Sequence, residues 1–396
     1  MNILIAPDSF KQSLEALEVC RAIESGFRQV FTDATYTLLP MADGGEGTTA
    51  ALSYALEGRW ITTKVHDPLM RAVDANYLLL ADNTAVIEIA EACGLALLTS
   101  AEQNPLITSS YGVGELILDA LENGAQRFII GLGGSATNDA GLGMLMALGV
   151  RFYDANDNAL TQGGAQLANV QHIDTSTLHP KAKALLAQST RPFAVACDVT
   201  NPLCGVNGDS AVFGPQKGGS DKQVAILDKA LAHFAHIYAQ QNMQDDNDDY
   251  QKVAGAGAAG GLGFAFMAFL DSELQSGFDL IAKATRLSAH IAKADLVITG
   301  EGKLDAQTMM GKVANGVGLM AKAQNKPVIA ICGAVDHEDY HKSAHNESAM
   351  NTLFAVVMPS IQQLAPIDEV FNSAYTNIET TALNLAAAMR LGEKLN

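Results

Sequence analysis

Positive charge is scarce in this 396-residue chain, which has 25 Lys and Arg residues against 43 Asp and Glu and a formal net charge of -18. Nucleic acids and anionic membranes are bound through basic patches, so this balance argues against both kinds of partner. It leaves open a small anion held in a local positive pocket. Charged residues make up only 17% of the chain and hydrophobic ones 48%, which is typical of a globular protein and not of a disordered one.

Cysteine is also rare: the five cysteines are scattered and no Cys-x-x-Cys pair occurs. This pattern favours reduced thiols that pack as small hydrophobic side chains in a cytoplasmic protein. The first residues, MNILIAPDSF, lack the basic segment of a signal peptide and predict a first β-strand. No run approaches the ~18 uninterrupted apolar residues of a membrane span, so we expect no membrane partner and a cytoplasmic location.

The length of the chain exceeds that of one ordinary core and predicts two domains. Short apolar runs alternate with helical periodicity towards both ends of the sequence, whereas Trp60 to Ala90 has the alternating pattern of hairpins. We therefore predict an α/β protein with a discontinuous Rossmann- or flavodoxin-like domain of parallel strands at 1–57 and 285–396. An inserted second domain of mixed α/β structure is predicted at 58–284.

A glycine-rich stretch from Arg127 to Gly149, RFIIGLGGSATNDAGLGMLMALG, has the features of an anion site. An apolar run ends in glycines, and residues suited to helix capping precede a second apolar run. A strand, a glycine loop and a helix N-terminus together bind phosphate through backbone N–H groups and the helix dipole. The candidate residues in this stretch are Gly133, Gly134, Ser135, Asn138 and Asp139.

Other apolar runs also end in loops that combine acidic residues, glycine and often lysine. Their candidate residues are Asp8, Ser9 and Lys11 in PDSFK, Asp43 and Glu46 in DGGEG, Asp198 and Asn201 in CDVTN, Lys217 in GPQKGG, Gly257 in GAGAAGGLG, and Glu301 and Asp305 in GEGKLD. Phosphoryl transfer requires this set, because carboxylates hold Mg²⁺ while lysines and backbone N–H groups neutralise the phosphate. Plainer explanations stay open: a solvated Lys11, a helix-capping Asp8, and close packing at Gly257.

A nicotinamide-dependent dehydrogenase is an alternative, because residues 131–136 and 255–260 both satisfy the pattern G-x-G-x-x-G/A. Asp154 ends the strand after the first match, where a ribose-binding acid would lie. The second match, however, follows an acidic loop instead of a strand, and a dehydrogenase gives the other loops no role. No P-loop and no protein-kinase signature occurs. The residues alone thus predict a two-domain α/β enzyme that acts on phosphates with Mg²⁺.

The same motifs resemble those of the bacterial glycerate kinases, and they occur in the order typical of that family from Ile3 to the last helix. They are APDSFK-x-SL, P-x-ADGGEGT, SYG-x-GEL, GLGGSATND, ACDVTNPL, GPQKG, GAGAAGGLG and ITGEGKLD-x-QT-x-x-GKV. The resemblance implies an enzyme that phosphorylates D-glycerate with ATP and Mg²⁺ to 2-phospho-D-glycerate. It also implies two α/β domains with the active site in the cleft between them. A kinase for another small hydroxy acid and a non-catalytic sensor are the alternatives, and a homo-oligomer is compatible with the sequence.

Carried over by position, the resemblance implicates the loop residues named above. We expect Asp198, Lys11 and Asp43 to act in catalysis, with Asp198 favoured as general base, and Glu46, Glu301 and Asp305 to bind metal. The expected substrate and phosphate contacts are Asp8, Ser9, Gly133, Gly134, Ser135, Asn138, Asp139, Asn201, Lys217 and Gly257. The chain departs from the family pattern at Gln12, Ala140 and Ala306, where glycine is usual, and at Ala314, where proline is usual. Gln12 adds bulk beside Lys11.

Overall fold

The structure is a computed structural model that describes residues 1–241, 249–306, 308, 311–336 and 350–395. Its strands, numbered in chain order, are β1 Asn2–Ile5, β2 Thr35–Leu38, β3 Gly58–His66, β4 Ala72–Leu80, β5 Thr84–Glu88, β6 Arg127–Gly131, β7 Arg151–Tyr153, β8 His172–Asp174, β9 Phe193–Ala196, β10 Ser272–Gln275, β11 Leu296–Thr299, β12 Lys303–Leu304, β13 Val328–Cys332, β14 Ala334–Val335 and β15 Val356–Pro359.

The α-helices are α1 Ala16–Arg28, α2 Thr48–Ala55, α3 Ala90–Cys93, α4 Tyr111–Glu122, α5 Leu142–Ala147, α6 Pro180–Gln188, α7 Asp209–Phe213, α8 Asp221–Gln241, α9 Ala258–Leu270, α10 Gly277–Ala284, α11 Leu287–Lys293, α12 Val313–Ala323, α13 Met350–Leu353, α14 Ile367–Asn372 and α15 Ala374–Leu395. Short 3₁₀ helices lie at Leu95–Leu97, Gly164–Asn169, Pro215–Lys217 and Tyr250–Lys252. Within the described residues, no helix has both the length and the apolar character needed to cross a membrane.

The chain divides into two compact units, each assembled from separate stretches of sequence. Unit 1 consists of Met1–Asp43, Ala50–Leu56 and Phe278–Asn396. Unit 2 consists of Gly44–Thr49 and Glu57–Gly277. Unit 1 is therefore built from both ends of the sequence, and its sheet forms only after distant strands have paired.

Unit 1 contains a sheet of five parallel strands in the order β15-β13-β11-β1-β2. Counted within the unit, this is the order 2-1-3-4-5 of flavodoxin-like folds. The central strand β1 is apolar on both faces, and Ile3, Leu4 and Ile5 are buried, as parallel strands covered by helices require. The predicted fold class is confirmed. Connections leave β1 and β11 towards opposite edges, so the gap between these two strands is the switch point of the sheet.

Helices cover both faces of this sheet. On one face, α1 and α15 pack against alternate residues of the strands, and Ile3, Ile5, Ile23 and Ile378 belong to one buried cluster. Helices α11 and α12 contact β1, β11 and β13 and contribute nothing to that cluster. The alternation of strands and helices predicted for a doubly wound domain is thus present. Both faces of the sheet need covering helices, because successive side chains of a strand point to opposite faces.

Unit 2 contains a mixed six-stranded sheet in the order β10-β9-β6-β5-β4-β3. The strands β10, β9, β6 and β5 run parallel, while β4 and β3 extend the sheet as antiparallel neighbours. The hairpins predicted between Trp60 and Ala90 are these strands. A second, two-stranded sheet joins β7 to β8.

The two glycine-rich loops of unit 2 pack directly on each other. After its first residue, Ala258, helix α9 has three residues of positive φ, Ala259, Gly260 and Gly261, at 54°, 75° and 86°. A Cβ atom on Gly260 would lie 2.0 Å from the carbonyl oxygen of Thr137, in the other glycine loop. Close packing therefore explains this run of glycines, which is the plainer of the two explanations drawn from the sequence.

Because the two loops pack so closely at Gly260, a substitution there should lower the free energy of unfolding. Gly260→Ala forces alanine into a left-handed conformation, which costs about 1–2 kcal/mol, and adds a clash worth roughly a further 1–3 kcal/mol. Gly124 is the matched control, because its φ is also positive, at 95°, and a Cβ there meets nothing within 4 Å. Urea unfolding should therefore show a clearly larger loss for Gly260→Ala than for Gly124→Ala. Equal losses would mean that the loops do not need this close approach.

Candidate active site

A pocket with a volume of about 400 Å³ lies in unit 1 at the carboxyl edge of the parallel sheet. Every strand of that sheet is followed by residues that line it. They are Asp8 and Ser9 after β1, Asp43 after β2, Glu301 after β11, Gly333 after β13, and Ser360 and Ile361 after β15. Open α/β sheets bind ligands at the carboxyl ends of their strands, beside the switch point. This pocket has that position.

Two buried carboxyl groups dominate the polar end of the pocket. Asp8 is 7% exposed, and burial together with the charges of Asp43 and Glu301 raises its pKa to about 7. Glu301 is 6% exposed, and burial raises its pKa to about 7 as well, with Asp305 and Asp43 adding to the effect. The backbone N–H of Ser9 donates to Asp8 Oδ1 over 2.7 Å. The pocket thus contains two carboxyl groups whose pKa values lie near neutral pH.

Lysines offset part of this acidity. Lys11, Lys303 and Lys312 also line the pocket. Lys11 lowers the pKa of Asp8 and Lys312 that of Glu301, although burial outweighs both charges. Lys303 is 3.2 Å from Asp336 Oδ2. An arrangement of cations beside carboxyl groups can bind an anionic substrate and also accept a proton from it.

The polar end fits a hard divalent cation that is shared with a phosphate group. Glu301 Oε1 is buried and has no hydrogen-bond partner among the described residues, so it is available as a ligand. No group of three or more His, Cys, Asp or Glu side chains in this part of the chain is arranged to hold a metal by itself. Mg²⁺ needs no such group, because it is usually held by one or two carboxylates together with substrate phosphates and water.

The turn that carries Lys11 is held in a conformation that normally favours glycine. Gln12 has a φ of 68°, and the turn is closed by a hydrogen bond from Phe10 N to Leu14 O of 2.9 Å. Ala140, in unit 2, has a φ of 48°. These are two of the positions where the family pattern predicts glycine, and the left-handed backbone gives the physical reason for that preference.

In unit 2, a helix follows the glycine loop as the sequence predicts, but Gly141 occupies its N-cap and none of the expected capping residues does. Helix α5 begins only at Leu142, and the residues before it form a buried irregular loop. The carboxylate of Asp139 holds this loop, since it accepts hydrogen bonds from Ser110 N, Gly141 N and Gly143 N over 2.9, 3.2 and 3.2 Å. Asp139 is fully buried. Its place in the structure is that of a loop anchor.

Lys217 and Asn138 belong to a second buried polar cluster. The Lys217 ammonium is 3.1 Å from Asp209 Oδ1 and donates to Thr137 O over 2.8 Å. Asn138 donates to Asp209 and accepts from Ser210 over 2.9 Å. Lys217 and Asp209 are 2% and 0% exposed. The predicted phosphate contact at Lys217 therefore appears in the structure as one half of a buried ion pair.

The remaining candidates of unit 2 also have local partners. Gly133 packs on the loop of residues 44–47, because a Cβ there would lie 3.0 Å from Gly45 Cα, and Gly134 has a φ of 72°. Ser135 Oγ lies 3.0 Å from Thr137 Oγ1.

The CDVTN loop and its neighbours make similar contacts. Asp198 Oδ1 accepts from Gly277 N over 3.0 Å. Asn201 donates to Asn207 O over 2.8 Å, and its own carbonyl accepts from Gly257 N over 3.0 Å. Asp198 and Glu46 are exposed. Their expected roles stay predictions.

The structure thus separates the candidates into two sets. The pocket of unit 1 brings together Asp8, Ser9, Lys11, Asp43, Glu301 and Asp305. Unit 2 holds Glu46, Gly133, Gly134, Ser135, Asn138, Asp139, Asp198, Asn201, Lys217 and Gly257. The apolar side of the pocket, formed by the segment from Ile361 to Asn377, was not predicted from the sequence. Gly333 and Ser360 were not predicted either, although both follow strands of the sheet directly and their position could have indicated them.

The geometry gives the dehydrogenase alternative no support. The first G-x-G-x-x-A match does not open a helix, as a dinucleotide site requires. Asp154 follows β7, a strand of the small two-stranded sheet. Its carboxylate accepts hydrogen bonds from Asn156 N and Asn158 N over 2.8 and 2.9 Å, so it closes its own turn.

Comparison with known proteins gives a consistent result. Residues 3–390 match the model of the glycerate kinase family. The chain is 45% identical to glycerate 2-kinase of Escherichia coli (strain K12) over 99% of this chain and 99% of that protein. It is 45% identical to glycerate kinase of Haemophilus influenzae over 98% of this chain and 99% of that protein. A crystal structure from Salmonella typhimurium LT2, of a protein provisionally named glycerate kinase 2, has a TM-score of 0.86 and 45% identity and covers 100% of this chain and 99% of that chain.

Removing the charge of Lys217 should destabilise the fold. Lys217→Met leaves the Asp209 carboxylate buried without the cation of its ion pair, which typically costs about 3–5 kcal/mol of unfolding free energy. Lys252→Met is the control, because Lys252 pairs with Asp249 at the surface and its loss should barely change stability. Urea unfolding of both variants measures the difference. A stable Lys217→Met protein that has lost phosphate affinity would favour the role expected from the sequence.

Removing the carboxyl group of Asp8 should stabilise the metal-free protein at high pH. Folding raises the pKa of Asp8 from 3.8 to about 7, so the folded protein binds the proton more tightly and loses stability as the pH rises between these values. Asp8→Asn should therefore raise the free energy of unfolding by about 2–4 kcal/mol at pH 8 and leave it unchanged near pH 3. Exposed Asp33→Asn serves as the control. The same effect of Asp8→Asn at both pH values would contradict this explanation.

Proposed function

The chain belongs to the glycerate kinase family, and from that premise we propose that it transfers the γ-phosphoryl group of ATP to a hydroxyl group of D-glycerate. We propose 2-phospho-D-glycerate as the product, in line with the name of the Escherichia coli relative. The observation that best supports a kinase is the pocket of unit 1, where buried carboxyl groups and lysines converge at the switch point of a parallel sheet.

In this proposal the lysines of the pocket bind the anionic groups of both substrates. Lys11 and Lys312 lie at the polar end beside Asp8 and Glu301. A phosphoryl group in transfer carries its charge on three oxygens, and fixed cations at that position stabilise it. The enzyme needs little covalent chemistry for such a reaction, because orientation and electrostatic stabilisation supply most of the acceleration.

Asp8 is the group we propose as general base. A base works best when its pKa lies near the working pH, and burial brings the pKa of Asp8 to about 7. The carboxyl group lines the pocket, so it can accept the proton of the attacking glycerate hydroxyl. Asp198, favoured from the sequence, is exposed and accepts a hydrogen bond from Gly277 N. It is the second candidate.

The cation that we propose for this pocket is Mg²⁺. Asp43, Glu301 and Asp305 would hold it together with the phosphates of ATP, because Glu301 offers a buried oxygen that has no hydrogen-bond partner in the described part of the chain, and Asp43 and Asp305 line the same end. When bound, Mg²⁺ neutralises charge on the phosphate oxygens.

Phosphorus NMR of the reaction of D-glycerate with MgATP tests the function directly. We expect a new phosphomonoester signal split into a doublet by the single hydrogen on C2, together with the signals of ADP. A triplet would place the phosphate on C3 and overturn the proposed product while leaving the kinase. No phosphomonoester, or reduction of a nicotinamide cofactor by glycerate, would overturn the kinase itself.

If Asp8 is the general base, replacing it with asparagine should greatly lower turnover, although the side chain keeps nearly the same shape. Asp8→Asn should lower kcat by about 10²–10⁴-fold, the range for a lost general base, while Asp198→Asn should lower it much less. In the wild type, kcat/KM should rise as the pH increases towards about 7, because the base must be ionised. Steady-state kinetics from pH 5 to 9 measure both effects. A reversed order of the two variants would assign the base to Asp198.

A further inference from the structure

The pocket of unit 1 has an apolar side that the proposed acceptor does not need. It is formed by Ile361, which follows β15, by Ile367, Val370 and Phe371 of α14, and by Ala374 at the start of α15. Ile361 and Ile367 are 42% and 60% exposed. Large apolar side chains that converge on one concave surface mark a binding site, whereas single exposed ones are ordinary.

Glycerate is a poor match for this surface. Each of its carbon atoms carries oxygen, so it has no apolar face to bury against isoleucine and phenylalanine. The volume of about 400 Å³ also falls in the range of pockets that take ligands much larger than a three-carbon acid, roughly 300–1,000 Å³. The apolar side must therefore serve another ligand or another part of the reaction.

We propose that this apolar side binds the purine base of the nucleotide, and that the polar end beside Asp8 and Glu301 receives its phosphates. The inference rests on the proposed kinase function and assigns the base-binding residues within it. A purine has two flat apolar faces and a polar edge, a combination that fits a wall of Val370, Phe371 and Ile367. Aromatic side chains stack on such faces in a way that tolerates different bases.

Polar groups at the same side can meet the edge of the base. Asn377 of α15 and Ser360 at the end of β15 line the pocket with the apolar residues. An amide side chain offers both donors and an acceptor, and a hydroxyl offers one donor with two acceptor positions. A few such groups among apolar ones are typical of sites for small molecules and cofactors, where they fix the orientation of the ligand.

The two ends of the pocket differ in chemistry. Charged residues, among them Lys11 and Lys312, lie with the carboxyl groups that follow β1 and β11, while most of the apolar residues come from the segment after β15. A nucleotide is itself divided in this way, with an apolar base at one end and a polyphosphate at the other. No protein or lipid partner is needed to explain why isoleucines are exposed here.

Calorimetric titration with two ligands tests the assignment without relying on catalysis. The ligands are MgADP, which carries the base, and magnesium tripolyphosphate, which does not. For Phe371→Ala we expect the affinity for MgADP to fall about tenfold or more, the scale of one lost aromatic stack, and the affinity for tripolyphosphate to stay that of the wild type. Tyr375→Ala is the matched control, because Tyr375 is 38% exposed on α15 and is not part of the lining.

A second variant covers the case in which Phe371→Ala unfolds. Ala374→Leu narrows the same side of the pocket by adding side-chain volume and keeps the ring of Phe371, and we expect it to weaken the binding of MgADP more than that of tripolyphosphate. Thermal unfolding of each variant reports whether the protein is intact. Unchanged MgADP binding in folded Phe371→Ala and Ala374→Leu overturns the proposal, as does an equal loss for both ligands.

The outcome is separable from that of the kinase proposal. If wild-type protein forms no phosphoglycerate but loses MgADP affinity selectively on Phe371→Ala, the base site stands and the acceptor is wrong. If phosphoglycerate forms and neither variant changes the affinity for MgADP, the kinase proposal stands and the purine base binds elsewhere.

Discussion

The parallel pairing of β1 with β11 is the constraint on which the candidate site depends. Beyond the regular ladder, Ala6 N donates to Ile298 O over 2.7 Å, Asp8 N donates to Gly300 O over 2.9 Å, and Thr299 Oγ1 donates to Ala6 O over 2.8 Å. These bonds join two segments that lie nearly 300 residues apart in the chain. They bring Asp8 and Glu301 to the same edge of the sheet, although both are acids that would repel each other when ionised.

The burial of these two acids lowers the stability of the fold, but it provides carboxyl groups for binding and catalysis. Burial, with the charges of neighbouring acids, raises the pKa values of Asp8 and Glu301 to about 7, so holding both groups in this pocket lowers the stability of the fold when they are ionised. A cation bound with a phosphate would relieve the repulsion, because its charge favours the ionised carboxylates. Acidic sites of this kind are kept for binding and catalysis, not for stability.

Unit 2 shows a different use of buried polar residues. Its long loop between β6 and α5 has little regular structure, and its backbone needs partners away from water. Asp139 accepts hydrogen bonds from Gly141 N in this loop and from Ser110 N outside it. Lys217 donates to Thr137 O of the loop, and its partner Asp209 accepts from Gly260 N of the other glycine-rich loop. Side chains predicted from the sequence to bind phosphate thus also make hydrogen bonds that support this loop from inside.

The sequence by itself determined the elements and the chemistry of the strand ends. Short runs such as Ile3–Ile5 and Leu296–Thr299 are apolar on both faces, so they form strands of a buried parallel sheet. The acidic residues that follow these strands therefore lie at the carboxyl edge of the sheet. Which of these acids share a pocket was decided only by tertiary structure, because strand order depends on long-range pairing that no local pattern records. The ion pair of Lys217 could not be predicted for the same reason, since its partner Asp209 is brought to it only by packing. The apolar wall around Phe371 left no motif in the sequence, because it is a surface made by chain segments that meet, and such a surface exists only once the chain has folded.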